Sequence, residues 1–256
     1  MKLNFFRLPN KVKFGILKLA VKLGRFSDSY PIMLILLCIS KITSFELRKK
    51  VAQCKTIQDL VEVAFNFKSS LLPILTIQPD QNRWEITQLL KVLKKERPRI
   101  VCELGTRRGG TLFLFAQVAS PDAIIISVDL VSGPIDGPHK WKIPLYNSFV
   151  NSNRQKIYSL NMNSHEPQTL IKIKKILADK KIDFLFIDTA ISYEDVKRDF
   201  ESYSQLVRKG GIIAIHDIAP SGWEIDKFWT EVKSHYKSIE IIENYEKGNG
   251  IGVVYL

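Results

Sequence analysis

From residue 99 onward the chain alternates short apolar runs with longer amphipathic stretches. The runs are RIVCEL (99–104), AIIISVDL (123–130), KIYSL (156–160), IDFLFID (182–188), GIIAIHD (211–217), SIEIIEN (238–244) and IGVVYL (251–256). Between them the spacing predicts helices over about 110–119, 167–179, 192–208 and 223–236. Near-continuous apolar runs fit strands covered on both faces, and their alternation with helices implies a mostly parallel sheet. The last two runs have no helix between them. NYEKGNG joins them, with Gly248 and Gly250, and predicts an antiparallel pair. The expectation is an α/β fold with six parallel strands and one reversed strand, helices on both faces.

The first 80 residues read differently. Helical spacing appears over 11–25, 31–42, 45–53 and 57–66, and Pro73 and Pro79 mark the end of this part. We therefore expect an N-terminal basic helical extension over 1–80 and a second unit over 81–256. The latter opens on RWEITQLLKVLKK (83–95), which places Trp84, Ile86, Leu89, Leu90 and Leu93 on one helical face. The most apolar run, PIMLILLCIS (31–40), stops at Lys41. A membrane span needs about 20 such residues, so the run reads as a buried helix.

Charge sharpens the picture of the N-terminus. The 256 residues carry a net charge of +12. Residues 1–27 hold Lys2, Arg7, Lys11, Lys13, Lys18, Lys22 and Arg25 and no acid, which accounts for +7 of it. Such a segment is either a solvated helix face or a contact for an anionic partner. Its apolar and basic residues interleave at helical spacing, which suits peripheral contact with an anionic membrane surface. Nucleic acid is disfavoured as a partner, because there is no Asn-Pro-Pro-Tyr-type motif for a flipped base and no aromatic-basic RNA signature. Cys38, Cys54 and Cys102 show neither pairing nor metal spacing, which fits a reducing cytosol. Nothing in the sequence fixes an oligomeric state; a homo-oligomer is allowed.

Candidate chemistry gathers at the ends of the runs. The first opens into Glu103-Leu104-Gly105-Thr106-Arg107-Arg108-Gly109-Gly110-Thr111. A glycine-rich turn from strand to helix lets backbone amides approach a ligand. Asp129 follows Gly105 by 24 residues, at the end of the next run, where an acid accepts hydrogen bonds from ribose hydroxyls. The glycines are not spaced as G-x-G-x-x-G, so a dinucleotide fits poorly. Asp188 ends the fourth run, and His216-Asp217 end the fifth.

CELGTRRGGTLFLFA, NSHEPQTLIKIKKIL, DFLFID followed by SYEDVKRDFESYSQLVRKGGIIAIHDI, and GNGIGVVYL together resemble class I S-adenosylmethionine (SAM) methyltransferases. Within these they are similar to the cephalosporin-hydroxylase-like and small sugar O-methyltransferase family. The resemblance covers about four-fifths of the chain and implies a Rossmann-like fold. It also implies transfer of a methyl group from SAM to a hydroxyl of a glycan or other small molecule. Carried over, Glu103, Gly105, Thr106, Gly109 and Gly110 would hold the amino-acid end of SAM, Asp129 its ribose, and Asn163 and Ser164 its adenine. Asp188, His216 and Asp217 would hold a divalent metal, Mg²⁺ or Mn²⁺, and carry the catalysis. Hard cations take carboxylate oxygens, and a histidine in the set fits Mn²⁺, Fe²⁺ or Zn²⁺ better than Mg²⁺.

One stretch departs from the family. Relatives follow the strand-four acid with Gly-Asp-His; here Asp188 is followed by Thr189, Ala190 and Ile191. Isoleucine cannot accept a proton. Either the metal alone activates the acceptor, or His216, His165 or His139 is the base. The alternative is a catalytically degenerate protein that keeps the fold as a SAM-binding or scaffold module. His139 lies in GPIDGPHKWKIPLY (133–146), which reads as a loop placed to close over a substrate.

Overall fold

The computed structural model describes residues 30–133, 135–189, 192–220, 224–245 and 249–256. The basic arm (1–27), the helix expected over 11–25, Ala190, Ile191 and Gly248 lie outside the described residues.

Seven strands form one sheet: β1 (Ile100–Leu104), β2 (Ile124–Asp129), β3 (Lys156–Asn161), β4 (Ile182–Ile187), β5 (Val207–His216), β6 (Lys237–Ile241) and β7 (Ile251–Tyr255). Their order is β3-β2-β1-β4-β5-β7-β6. Strands β1 to β5 pair in parallel, and β7 runs antiparallel to both β5 and β6. The expected six-plus-one arrangement is therefore present. The order reverses at β1, whose neighbours are β2 and β4. Ligands of open α/β sheets bind at such a switch point, outside the carboxyl ends of the strands.

Alternation along the strands divides the core in two. Val101, Ile125, Phe184, Phe186, Ile212 and Ala214 face one side. Cys102, Ile126, Leu185, Ile187, Ile213 and Ile215 face the other. The first side is covered by α1 (Tyr30–Val51), α2 (Ile57–Asn66), α3 (Arg83–Glu96), α4 (Gly110–Val118) and α5 (Ile143–Tyr146). The second is covered by α6 (Pro167–Leu177), α7 (Tyr193–Ser204) and α8 (Ile225–His235).

Local signals explain the helix ends. Thr56 caps α2 by accepting from the Asp59 amide at 3.1 Å, while Asp59 accepts from the Thr56 amide at 2.9 Å. This reciprocal pair satisfies two donors that the first turn leaves free. Asn82 caps α3 through the Trp84 amide at 2.8 Å, and Ser192 caps α7 through the Asp195 amide at 3.2 Å.

Three expectations need correction. The segments 31–42 and 45–53 are one helix, α1. It is buried on one side only: Leu36, Ile39 and Leu47 are inside, while Leu34, Ile35 and Phe45 are exposed. Trp84, expected on the apolar face of α3, is exposed, and Glu85 is buried instead. Glu85 accepts from the backbone amides of Glu243 and Gly250 at 3.0 and 3.1 Å, which ties α3 to the chain before β7. The segment 133–146 is not a free loop. Lys140–Lys142 form a 3₁₀ turn and α5 follows, with Trp141 and Tyr146 buried. Ser40 and Ser44 of α1 hold this segment through the Leu145 amide and the Pro144 carbonyl, each at 3.1 Å. Among the described residues no helix is long and apolar enough to cross a membrane.

Candidate active site

A cavity of about 680 Å³ opens at the carboxyl ends of β1, β2, β3, β4 and β5. Of the residues singled out in the sequence, Gly105, Asp129, Asn163, Ser164, Asp188, His216 and Asp217 line it. Asp80, Arg107, Leu130, Ser132, Asp136, Met162, His165, Thr189 and Asp195 join them.

The floor is set by backbone. Gly105 has φ +92°, and a Cβ there would lie 2.3 Å from the Asp188 carbonyl oxygen. Glycine is required on both counts. The Gly105 amide donates to Val128 at 2.9 Å, and the Asp188 amide donates to Leu104 at 2.9 Å. The ends of β1, β2 and β4 are thereby tied together. Asp129 then organises the loop. Its Oδ2 accepts from the amides of Thr106 (3.0 Å) and Arg107 (2.6 Å), and its Oδ1 from that of Leu130 (2.7 Å). Burial nevertheless lifts its pKa above the ordinary value. A carboxylate offers about four acceptor sites, so capacity remains for a ligand hydroxyl.

Four expected cofactor contacts do not reach the cavity. Glu103 shares a face of β1 with Val101 and lies beneath the loop, fully buried. Ser127 donates to it at 3.0 Å, Thr111 also bonds it, and burial pushes its pKa up to about 8. It therefore holds a proton at neutral pH and offers no charge to a ligand. Thr106 is buried, with its hydroxyl against Ser127. Gly109 and Gly110 serve packing. A Cβ on Gly109 would lie 2.7 Å from the Tyr146 ring, and one on Gly110 would lie 2.3 Å from the Ile77 carbonyl oxygen. That contact lays residues 77–79 over the start of α4. The adjoining Asp80 pairs with Arg107 at the cavity, and Gln81 donates to Asp188 Oδ2 at 2.7 Å.

Asp188, His216 and Asp217 form one cluster, with a ligand atom from each lying within 4.8 Å of the others. His216 Nδ1 is 2.8 Å from Asp188 Oδ1 and 3.3 Å from Asp217 Oδ1. Asp217 adopts φ +61°, the left-handed region, at the end of β5. Burial alone would depress His216, but the charge and hydrogen bond of Asp188, with Asp217, outweigh it and lift the pKa to about 9. Burial raises Asp217 as well. The two carboxylates thus surround a place that favours positive charge.

His165 also lines the cavity, on the side of Asn163 and Ser164. Its Nε2 is 3.4 Å from Asp199 Oδ1 and its Nδ1 is 3.8 Å from Asp195 Oδ1. His139 does not line the cavity; its ring sits 5.7 Å from that of Trp141. Asp80 and Gln81 were missed because they belong to no periodic element. Arg107 was visible in the glycine-rich loop, but no signal there paired it with Asp80.

Residues 102–218 match the family model described as a methyltransferase domain. The matched segment runs from β1 to just past the end of β5, the strands whose carboxyl ends form the cavity. The solved O-methyltransferase TomG of Streptomyces achromogenes, in complex with SAM, superposes with a TM-score of 0.51 at 14% identity, covering 85% of this chain and 98% of that one. A candidate caffeoyl-CoA O-methyltransferase of Staphylococcus aureus gives a TM-score of 0.55 at 16% identity, covering 83% and 98%. An uncharacterised protein of Sinorhizobium fredii, y4gI, is 26% identical over 165 residues, 62% of this chain but only 17% of that protein.

Proposed function

We propose that the protein is a metal-assisted O-methyltransferase, moving the SAM methyl group to a hydroxyl of a glycan or other small molecule. The observation that carries this reading is one continuous cavity that joins Gly105 and Asp129 to the Asp188–His216–Asp217 cluster. The remaining acceptor capacity of the Asp129 carboxylate is available to ribose hydroxyls, and Asn163 and Ser164 lie on the side assigned to adenine. The three-residue cluster fits a divalent cation, since two carboxylates and an imidazole converge and the place already favours positive charge. Such an ion would lower the pKa of a bound acceptor hydroxyl. Gln81 fixes one oxygen of Asp188 and leaves the other toward His216. Without an ion His216, at a pKa of about 9, carries a proton at neutral pH; an ion held by its imidazole would displace that proton, and in neither state is His216 free to act as a base.

The 2.8 Å contact between His216 and Asp188 supports a second reading, in which the pair works without metal at alkaline pH. The two separate in one assay. Release of S-adenosylhomocysteine is followed over a panel of sugar and phenolic acceptors, with chelator and with added Mn²⁺. The metal reading expects chelator to abolish turnover and Mn²⁺ to restore it; activity that persists in chelator and rises toward pH 9 supports the second. Absence of SAM binding by calorimetry at about millimolar ligand would sink both. Residues 1–27 are proposed to touch an anionic membrane surface, on the strength of seven cations and no acid.

A further inference from the structure

Helix α1 (Tyr30–Val51) has two faces of different chemistry. At about 100° per residue, Leu34, Ile35, Cys38, Lys41, Phe45 and Lys49 fall on one stripe, and all six are exposed. The opposite stripe is buried against the domain, with Ser40 and Ser44 bonded to the 144–145 backbone. Leu34 is 45%, Ile35 38% and Phe45 59% exposed, three large apolar side chains on one helical face. The cations stand among them: Lys49 Nζ lies 4.5 Å over the Phe45 ring. The one acid of α1, Glu46, is occupied elsewhere, accepting from the Ser70 amide at 3.1 Å.

We infer that this outer face of α1 is a docking surface for an anionic phospholipid bilayer. The apolar side chains would enter the headgroup–acyl boundary while Lys41 and Lys49 lie at the level of the phosphates. Leu34 and Phe45 are eleven positions apart, so the apolar stripe runs about 16 Å along the helix axis. A two-fold copy of the same face is a poorer occupant. It would set Lys41, Arg48 and Lys49 against one another, with no free carboxylate on the stripe to pair them. The sequence just upstream continues the same chemistry, with seven cations among Phe5, Phe6, Leu8, Phe14, Ile16 and Leu17. The inference goes beyond the contact proposed for residues 1–27, because α1 is fixed to the domain through its other face. A bilayer bound there would hold the enzyme in one orientation.

The test uses the full chain and co-sedimentation with vesicles of phosphatidylcholine containing phosphatidylglycerol, against phosphatidylcholine alone. Each half-exposed apolar residue contributes about fivefold, so Leu34→Ser, Ile35→Ser and Phe45→Ser together should lower binding to anionic vesicles by roughly a hundredfold. Lys41→Glu with Lys49→Glu leaves the apolar stripe and the fold intact, and should also release the protein from anionic vesicles. If the triple variant fails to fold by circular dichroism, this charge variant decides alone. A third variant, with Lys11, Lys13, Lys18 and Lys22 changed to Gln, separates the arm from the helix. Undiminished binding by the α1 variants overturns the inference, including the case in which only the arm variant loses binding. So does a parent dimer, seen by sedimentation velocity, that the triple variant converts to monomer.

Discussion

Glu103→Gln separates a buried structural acid from a ligand contact. The folded chain holds the Glu103 proton up to about pH 8, whereas the unfolded chain releases it above its ordinary value of 4.5. Between those limits the folded state binds more protons, so this group's stabilisation is complete below pH 4.5 and is lost as pH rises to 8. At ~1.4 kcal/mol per pH unit, the loss in the parent reaches roughly 5 kcal/mol. Glutamine has no proton to lose. It brings an extra buried donor at a cost of about 1 kcal/mol. The variant should therefore be slightly less stable than the parent near pH 5. At pH 7 it should be more stable by about 2 kcal/mol, and at pH 9 by about 4 kcal/mol. Urea unfolding at the three pH values reads these differences, and at pH 7 the midpoint of thermal unfolding should rise by about 4–8 °C. Calorimetry should find SAM affinity changed by less than about threefold, because Glu103 lies behind the loop. A stability difference that does not vary with pH would refute the buried-proton argument. A loss of SAM affinity beyond tenfold with stability unchanged would show that Glu103 reaches the ligand.

Three further outcomes follow. Gly105→Ala combines a left-handed backbone with a contact against the Asp188 carbonyl, and should cost about 3 kcal/mol, lowering the thermal midpoint by about 6–12 °C; an unshifted midpoint in differential scanning fluorimetry would contradict the close approach. Gln81→Leu leaves one Asp188 oxygen without its donor, and should weaken Mn²⁺ binding in calorimetry about tenfold while SAM affinity holds. Lys142 is fully buried, donating to the Ile135 carbonyl and the Tyr146 hydroxyl at 2.8 and 2.7 Å, and burial pushes its pKa down to about 7. The penalty for its charge is complete below pH 7 and is relieved as pH rises toward 10.5, so Lys142→Met should gain most over the parent at pH 6 and progressively less by pH 9, read by urea unfolding.

The inner strands were legible because a parallel strand covered on both faces must be apolar nearly throughout, as β1 and β4 are, whereas the mixed edge runs of β3 and β6 were placed by their alternation with helices. The cavity acids Asp129, Asp188 and Asp217 were legible for a related reason: they stand where an apolar run stops. Glu103 misled because it also stands near the end of a run, but inside it. The two-residue period of a strand puts it on the face of Val101, away from the ligand edge. The run PIMLILLCIS misled in the opposite sense. Its composition suggested full burial, while its position on α1 leaves Leu34 and Ile35 outside. Gln81 meets Asp188 across 107 residues of chain, a contact made by tertiary packing alone, with no local pattern to announce it.

The backbone contact at Gly105 fixes one part of the cavity independently of its side-chain lining. Donor floor and Asp188 are indexed to each other by main-chain atoms, through Gly105, Leu104 and Val128. The Gly105 turn and the Asp188 carboxylate, proposed to serve the methyl donor and the acceptor, therefore keep their spacing whatever side chains surround them. Ser132 and Asp136 also line the cavity, from a turn closed by their own backbone pair and tied to the loop by the Gly137 amide, which donates to the Arg107 carbonyl at 2.7 Å. Under the proposed function, side-chain substitutions at Ser132 and Asp136 would reshape the cavity while the Gly105–Asp188 main-chain contact stays in place.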